Sequence, residues 1–337
     1  MPLGSPGVHR TRRTRVFDAP AGRLSSPVVA LPEPSTRMLE LDGFSVLVRE
    51  AGRESDPPVL CLHGGPGLDA SYFFPDIGRF GPGLRELARE HRVIAYDQRG
   101  CGGSGIPEVD EPLALSRHVD DIEAVRRALG LERPAILAHS FGTVLGLLHS
   151  LYQPHGVSKL VLTGGAPTRE FMDGYRRAVL EELPEDALRG LADLQGAELT
   201  DQVFRERFRL ALPLYFHRPL SPGDRDAFVD GIRFSARVNR AIAVGLEGYD
   251  MTPALPNVRV PALCVYGESD RVVQPSYQLQ VRGHLRTARF VAFRESGHFP
   301  FLEEPDAFAR VVHYFLGREP GPRPAGSGST SVDVPGR

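Results

Sequence analysis

The sequence contains few cysteines, no tryptophan and no surplus of positive charge. Its three cysteines, Cys61, Cys101 and Cys264, are too few for a disulfide framework, so we expect reduced, structural thiols. A formal net charge of −2 argues against nucleic acid as the main partner, because phosphate binding requires a basic surplus. The 337 residues, of which 41% are hydrophobic, are instead typical of a globular protein that buries a large core.

Long apolar stretches are also missing from the sequence. No run approaches the roughly 18 apolar residues that a membrane-spanning helix needs, so we expect no association with a membrane. Arg12-Arg13 resembles the start of a twin-arginine export signal, but the apolar segment that should follow is absent. We therefore expect a cytoplasmic protein, which agrees with reduced thiols.

Two tails flank the part of the chain that shows regular periodicity. Residues 1–36 and 317–337 are rich in Pro, Ser, Gly and Arg, and we expect both to be disordered. Between them, short apolar runs alternate with helical segments, which predicts an α/β fold: a doubly wound, mostly parallel sheet of about eight strands with antiparallel strands at its start. The predicted strands are Met38–Leu41, Ser45–Val48, Val59–Leu62, Val93–Tyr96, Ala135–Ala138, Leu160–Thr163, Ala262–Tyr266 and Phe290–Phe293.

Between residues 167 and 250 the alternation stops. Amphipathic helical segments such as Phe171–Leu183 and Ala236–Leu246 occur there, without a convincing strand. Helices inserted at this point would lie above the carboxyl end of the sheet, where ligands bind in such folds. We interpret residues 167–250 as a helical cap, and residues 37–166 and 251–316 as the core.

A nucleophile motif follows the fifth predicted strand. Ala138-His139-Ser140-Phe141-Gly142 leads from an apolar run into a helix and matches the G-x-S-x-G elbow, with Ala138 in place of the first glycine. The sharp turn of such an elbow exposes the serine hydroxyl, and the helix that follows favours developing negative charge. Ser140 is therefore the candidate nucleophile.

Two later strands are followed by candidate partners of this serine. Asp270 comes directly after the run that ends in Tyr266-Gly267, and His298 follows the last strand. The chain order Ser, Asp, His is that of α/β-hydrolases. His298 would take the proton from Ser140 as general base, and Asp270 would orient the imidazole.

A glycine-rich loop after the third predicted strand is a candidate oxyanion hole. His63-Gly64-Gly65-Pro66-Gly67 lets the backbone approach a substrate carbonyl and point amides at it. One donor is expected from this loop, from Gly65 or alternatively Gly64, and the second from Phe141. The ring of His63 is expected to support the loop.

The loop at residues 63–67, followed by Asp97-Gln98-Arg99-Gly100-Cys101-Gly102-Gly103-Ser104-Gly105, resembles the proline iminopeptidase (prolyl aminopeptidase) family. The resemblance covers roughly residues 38–166 and 256–315. It implies an α/β-hydrolase core, a helical cap, no cofactor and removal of an N-terminal residue, often proline, from peptides. It also implies that residues 97–104 form a structural turn that borders the active site.

The sequence departs from this family where the substrate would bind. The family's elbow usually reads Gly-Gly-Ser-Trp-Gly, and its cap carries tryptophans and glutamates that bind the substrate's α-amine. The run that resembles Ala-Arg-Ile-Glu-Asn here is Ala236-Arg237-Val238-Asn239-Arg240, with a neutral Asn239. An ammonium group in a partly dry pocket needs an anionic partner. The candidate substrate-binding residues are therefore Asn239, Glu247 and Glu170, with Asp173 and Asp250 as further carboxylates.

Three hypotheses follow from these patterns. The leading hypothesis is an aminopeptidase-like hydrolase that releases N-terminal residues from small peptides or aminoacyl compounds. The alternative is a hydrolase of another acyl compound: an ester, lactone, thioester or modified peptide amide. The third is a ligand receptor or scaffold that keeps the pocket without fast chemistry. In each case the expected partner is a small molecule or a short peptide.

Overall fold

The computed structural model describes residues 30–75, 80–109, 111–317 and 332–333. The predicted disorder of the two tails falls mostly on residues 1–29, 318–331 and 334–337, which lie outside the described residues. Within the described ranges, none of the helices combines the length and the apolar character that crossing a bilayer requires.

Nine strands in the described ranges form one sheet. They are β1 Ser35–Leu41, β2 Phe44–Ala51, β3 Pro58–Leu62, β4 Arg92–Tyr96, β5 Ala135–His139, β6 Leu160–Thr163, β7 Ala262–Gly267, β8 Ala288–Phe293 and β9 Val332–Asp333. Their spatial order is β1-β2-β4-β3-β5-β6-β7-β8-β9. Pairing is antiparallel for β1–β2, β2–β4 and β8–β9, and parallel for every other neighbouring pair. The predicted mostly parallel sheet is therefore confirmed. The prediction of disorder is wrong for Ser35 and Thr36, which belong to β1, and for Val332–Asp333, which form β9 at the edge of the sheet.

Helices fill the connections between the strands. The first one begins at Leu115 with Ala114 at its N-cap position, and it ends before Gly130, whose φ is +66°. The α-helices are α1 Leu115–Ala128, α2 Phe141–Tyr152, α3 Phe171–Glu182, α4 Glu185–Asp193, α5 Asp201–Ala211, α6 Pro222–Asp230, α7 Ala236–Gly245, α8 Pro275–Gln278, α9 Pro300–Glu303 and α10 Pro305–Leu316. Short 3₁₀ helices cover Ser71–Phe73, Gly83–Arg85, Leu87–Arg89, Leu212–Leu214, Leu255–Asn257 and Leu279–Gly283.

Both faces of the sheet are buried. In β3, Val59 and Cys61 belong to the core on one face, whereas Leu60 and Leu62 belong to the core on the other. Such alternation explains why the central strands are continuous apolar runs, since neither face meets water. All three cysteines are buried and unpaired, as the sequence predicts.

The helices α3 to α7 lie between β6 and β7, within the residues predicted as a cap. We call residues 167–250 the helical insert. Its two ends run side by side, because the N–H of Met251 donates to the carbonyl of Pro167 at 2.7 Å and Thr168 pairs with Asp250. Apolar residues of the insert, including Leu183 and Leu214, pack on Val272 and Val273 after β7. The insert is thereby packed against a loop at the carboxyl end of a core strand.

Candidate active site

Ser140 occupies the one-residue turn between β5 and α2. Its backbone has φ +53° and ψ −121°, a strained conformation for a residue that is not glycine. Its N–H donates to the carbonyl of Thr163 at 2.8 Å, and its carbonyl accepts from the N–H and the hydroxyl of Thr143 at 2.9 and 2.7 Å. The surrounding bonds therefore hold this turn in place and put Ser140 at the N-terminus of α2.

Small residues allow α2 to approach the sheet behind Ser140. A Cβ on Gly142 would lie 2.3 Å from the carbonyl oxygen of Leu62, so only glycine fits without moving the helix. Ala138, which stands where the motif usually has its first glycine, is fully buried. Opposite it lies Gly146, where an added Cβ would sit 3.3 Å from the Cβ of Ala138. Gly146 thus provides the space that the methyl group of Ala138 occupies.

Asp270 and His298 meet behind the cavity wall. The Nδ1 atom of His298 lies 2.8 Å from Oδ2 of Asp270, and both residues are 2% exposed. Asp270 also accepts the backbone N–H groups of Val272 and Val273 on Oδ1, and the side-chain amide of Gln278 on Oδ2, each at 2.9 Å. Because this carboxylate acts only as an acceptor here, Nδ1 of His298 is the ring nitrogen that carries the hydrogen. Its Nε2 is left as a base.

Ser140 and His298 line the same cavity, whose volume is about 360 Å³. Gly65 and Phe141, the two predicted oxyanion donors, also line it, as does the alternative donor Gly64. The structure therefore brings five of the six predicted catalytic and oxyanion-hole residues to one cavity and sets Asp270 behind His298.

The amide of Gly64 is already used within the loop. Its N–H donates to the hydroxyl of Tyr72 at 2.6 Å. Gly65 has a φ of +126°, and a Cβ there would lie 2.7 Å from the amide nitrogen of Gly67, so this position requires glycine. The N–H of Phe141 belongs to the first turn of α2, where backbone donors have no intrahelical acceptor. The geometry thus favours Gly65 over Gly64 as the loop donor, with Phe141 as the second.

The same tyrosine joins the loop to the histidine segment. The hydroxyl of Tyr72 lies 2.9 Å from Nδ1 of His139, and Nε2 of His139 lies 2.9 Å from the carbonyl oxygen of His298. Since the amide of Gly64 can only donate and a carbonyl can only accept, the hydroxyl donates to Nδ1 and the Nε2–H donates to His298. Burial holds the pKa of His139 well below its ordinary value, which keeps the ring neutral as this arrangement requires. One chain of hydrogen bonds therefore links the glycine loop, the elbow and His298.

The ring of His63 supports the loop from beneath. It is fully buried, its Nε2 accepts from the N–H of Gln98 at 2.9 Å, and its Nδ1 lies 2.9 Å from the carbonyl of Gly64. Burial lowers the pKa of His63 to about 4, so the ring is neutral near pH 7. These contacts agree with the predicted supporting role.

The turn at residues 97–105 is held by Asp97. This buried carboxylate accepts from the N–H groups of Ala70 and Gly103 at 2.9 Å each, and it pairs with Arg49. None of residues 97–104 lines the cavity with Ser140. These contacts agree with the structural role that the resemblance to the peptidase family implies, but the turn does not border the cavity itself.

The predicted substrate-binding residues are placed differently from one another. Asn239 lines the cavity, but its side-chain amide donates to the carbonyl of Pro66 at 2.9 Å and so holds the glycine loop. Glu170 and Glu247 are exposed and are not among the cavity-lining residues. Asp173 pairs with Arg176, and Asp250 accepts from Thr252. The structure therefore brings only Asn239 to Ser140.

Most of the cavity wall is apolar and was not predicted from the sequence. Phe171, Met172 and Tyr175 of α3, with Phe204 and Phe208 of α5, line it from the insert. Phe171 and Tyr175 are four residues apart and therefore lie on one face of α3. This spacing is the sequence signal that could have identified these two residues.

Backbone contacts fix the insert to the His298 segment. The N–H of His298 donates to the carbonyl of Tyr215 at 2.6 Å, and the N–H of Gly297 donates to Glu303 at 2.6 Å. The same carboxylate accepts the N–H of His217 at 2.8 Å. Burial raises the pKa of Glu303 to about 7, and the backbone donors oppose that rise. The position of His298 thus depends on the segment that follows α5.

Comparisons with known proteins agree with the observed fold. A family model described as alpha/beta hydrolase fold matches residues 57–305. The proline iminopeptidase of Heyndrickxia coagulans is 28% identical over 269 residues, which cover 77% of this chain and 90% of that protein. A solved proline iminopeptidase from Mycobacterium smegmatis is 24% identical, with a TM-score of 0.63 over 84% of this chain and 97% of that one. A solved alpha/beta fold family hydrolase from Bacillus anthracis is 18% identical, with a TM-score of 0.66 over 84% of this chain and 99% of that one. These two solved structures show that the chain shares their fold.

Removing the hydroxyl of Tyr72 should destabilise the protein. Tyr72→Phe leaves the buried N–H of Gly64 and Nδ1 of His139 without partners, so we expect the free energy of unfolding to fall by about 1–3 kcal/mol. Tyr96→Phe is the matched control, because the buried hydroxyl of Tyr96 has no hydrogen-bond partner among the described residues. Urea unfolding of both variants measures the difference, and equal stabilities would contradict the role of the Tyr72 hydroxyl.

The close approach of α2 also gives a test. Gly142→Ala should lower the free energy of unfolding by about 1–3 kcal/mol or more, because its Cβ must displace the helix from the carbonyl of Leu62. Gly223→Ala is the control: Gly223 lies in α6, and a Cβ there meets nothing within 4 Å. The control should be neutral or slightly stabilising, and an equally stable Gly142→Ala would refute the packing argument.

Proposed function

The chain belongs to the alpha/beta hydrolase fold family, and on this premise we propose that it is a serine hydrolase that cleaves an acyl bond through an acyl-enzyme on Ser140. The observation that carries the proposal is the 2.8 Å contact between His298 and Asp270, beside a cavity that Ser140 and His298 both line. The strained backbone of Ser140 at the start of α2 supports it further, because such turns present the hydroxyl of a nucleophile.

In this mechanism the hydroxyl of Ser140 attacks the substrate carbonyl while Nε2 of His298 takes its proton. The ring then gives that proton to the leaving alcohol or amine, and Asp270 stabilises the transient imidazolium through Nδ1. Water, deprotonated by the same ring, attacks the acyl-enzyme. The bond to Oγ of Ser140 then breaks, the ring returns the proton to this oxygen, and the acid is released. The N–H groups of Gly65 and Phe141 donate to the oxyanion in both steps.

The cavity wall supports an acyl substrate that has no free amine. No aspartate or glutamate is among the described residues that line the cavity, which is mostly aromatic and aliphatic. An ammonium group would lose water there without gaining a carboxylate, and such a loss is costly. An ester, lactone, thioester or modified peptide amide avoids this cost.

A proline iminopeptidase-like aminopeptidase is the second candidate. Relatives that bear this name support it, at 25 to 28% identity over most of both chains. For this function a carboxylate outside the cavity, such as Glu170 or Glu247, would have to reach the substrate's ammonium group.

Loss of the nucleophile or the base should abolish turnover. We expect Ser140→Ala and His298→Ala to lower kcat on p-nitrophenyl butyrate by about four to six orders of magnitude, as in other serine triads. Ser158→Ala and His284→Ala serve as controls, because neither residue lines the cavity. Activity within tenfold of the wild type in Ser140→Ala would refute the mechanism. Absence of turnover in the wild type would instead favour the receptor hypothesis.

The two substrate classes differ in whether catalysis needs a free amine. We expect p-nitrophenyl butyrate to be hydrolysed, and L-prolyl p-nitroanilide to be cleaved no faster than its N-acetyl form, because no described residue offers a carboxylate to the cavity. Release of p-nitroaniline gives kcat/KM for the two anilides, and release of p-nitrophenolate gives it for the ester. Fast cleavage that depends on Ser140 and is confined to the free-amine anilide would establish the aminopeptidase instead.

A further inference from the structure

The walls of the cavity contain one side chain that is always charged. Among the described residues that line it, Arg169 is the only arginine, lysine, aspartate or glutamate. Most of the others are aromatic, aliphatic or glycine. An arginine keeps its proton at every pH at which proteins are stable, so the charge at this wall is positive.

Backbone contacts fix the position of Arg169. Its N–H donates to the carbonyl of Tyr249 at 3.1 Å, and the neighbouring Thr168 pairs with Asp250 where the ends of the insert meet. The hydroxyl of Tyr249 also donates to the carbonyl of Ala166 at 3.1 Å. The base of the side chain is therefore held at a junction between the insert and the core, two residues before α3.

The guanidinium has no anionic partner among the described residues. Its Nη1 approaches only the carbonyl of Leu246, at 3.5 Å, which is a weak contact. The adjacent Glu170 accepts from Gln280, and Asp173 pairs with Arg176. Arg169 is exposed to solvent, lines the cavity and has no countercharge from the described residues.

We propose that Arg169 binds a negatively charged group of the substrate, so that the substrate class is an apolar acyl compound bearing a carboxylate. The apolar wall takes the chain of such a compound, and the planar guanidinium matches a carboxylate. This inference rests on the proposed function, because Ser140 must cleave the acyl bond while Arg169 holds the other end. It also opposes a free ammonium group, which the positive charge of Arg169 would repel.

The test compares esters that share a leaving group and differ in one charge. The anionic probes are the mono-p-nitrophenyl esters of succinate, adipate and suberate, which sample three chain lengths. Each is compared with the neutral diester in which a methyl ester replaces the free carboxylate. The readout is the ratio of kcat/KM for the anionic ester to that for the neutral one. We expect this ratio to be about two to five for the best length at low salt, as for a partly exposed ion pair, and to fall as salt is added.

Variants assign this preference to one residue. In Arg169→Gln the ratio should fall to about one, and in Arg169→Glu below one, whereas Arg169→Lys should retain part of the preference. Arg177→Gln is the matched control, because it removes the same charge from a residue that is exposed on α3 and does not line the cavity. A wild-type ratio of one or less at every length would overturn the inference. So would a ratio that Arg177→Gln lowers as much as Arg169→Gln does.

Failure of this inference and failure of the proposed function are distinguishable. Hydrolysis of the neutral esters that Ser140→Ala abolishes would support the function, whatever the charge ratio. If no ester is turned over, calorimetry on Ser140→Ala decides: tighter binding of monomethyl adipate than of neutral dimethyl adipate, lost when Arg169→Gln is added, supports the anion site. Equal affinities for the two compounds would refute it.

Discussion

The reversal of the chain at Ser140 is the constraint on which the rest of the site depends. One residue with φ +53° converts the direction of β5 into that of α2, and this works only if α2 can lie against the carbonyl of Leu62. Gly142 and Gly146 satisfy that condition. Gly142 leaves room for the carbonyl at the end of β3, and Gly146 leaves room for the methyl group of Ala138. The strain at Ser140 is therefore balanced by packing, not by a hydrogen bond to its own side chain.

The loops that would surround a substrate carbonyl lie at the same edge of the sheet as this reversal. Because β3, β5, β7 and β8 run parallel, the loops after them meet at one edge of the sheet. The hydrogen bonds through Tyr72 and His139 then tie three of these loops together. His139 stands where the Gly-Gly-Ser-Trp-Gly elbow has its second glycine. Its buried ring forms hydrogen bonds that connect the glycine loop with the His298 segment.

Sequence patterns predicted the sheet and the strand-end residues because both obey local rules. Every predicted strand lies within an observed one, and Asp270 and His298 meet because each follows a parallel strand directly. Details that depend on tertiary contacts were not predictable in this way. Serine is a favoured N-cap residue, yet Ser116 lies inside α1, which begins at Leu115 with Ala114 at its N-cap. The choice between the amides of Gly64 and Gly65 required knowing where the hydroxyl of Tyr72 lies.

The division between a predictable core and an unpredicted wall has a physical cause. The pairing of the strands fixes where residues at the strand ends lie. The apolar cavity wall comes from helices of the insert, and which side of a helix faces the cavity depends on how the insert packs. Asn239 illustrates the consequence: its amide donates to the carbonyl of Pro66, a bond that a carboxylate, with no hydrogen to donate, could not form. A neutral donor at this position stabilises the glycine loop and removes a negative charge from the cavity. Arg169 is then the sole permanent charge among the described residues that line the cavity, and the proposed anion site follows from this positive charge.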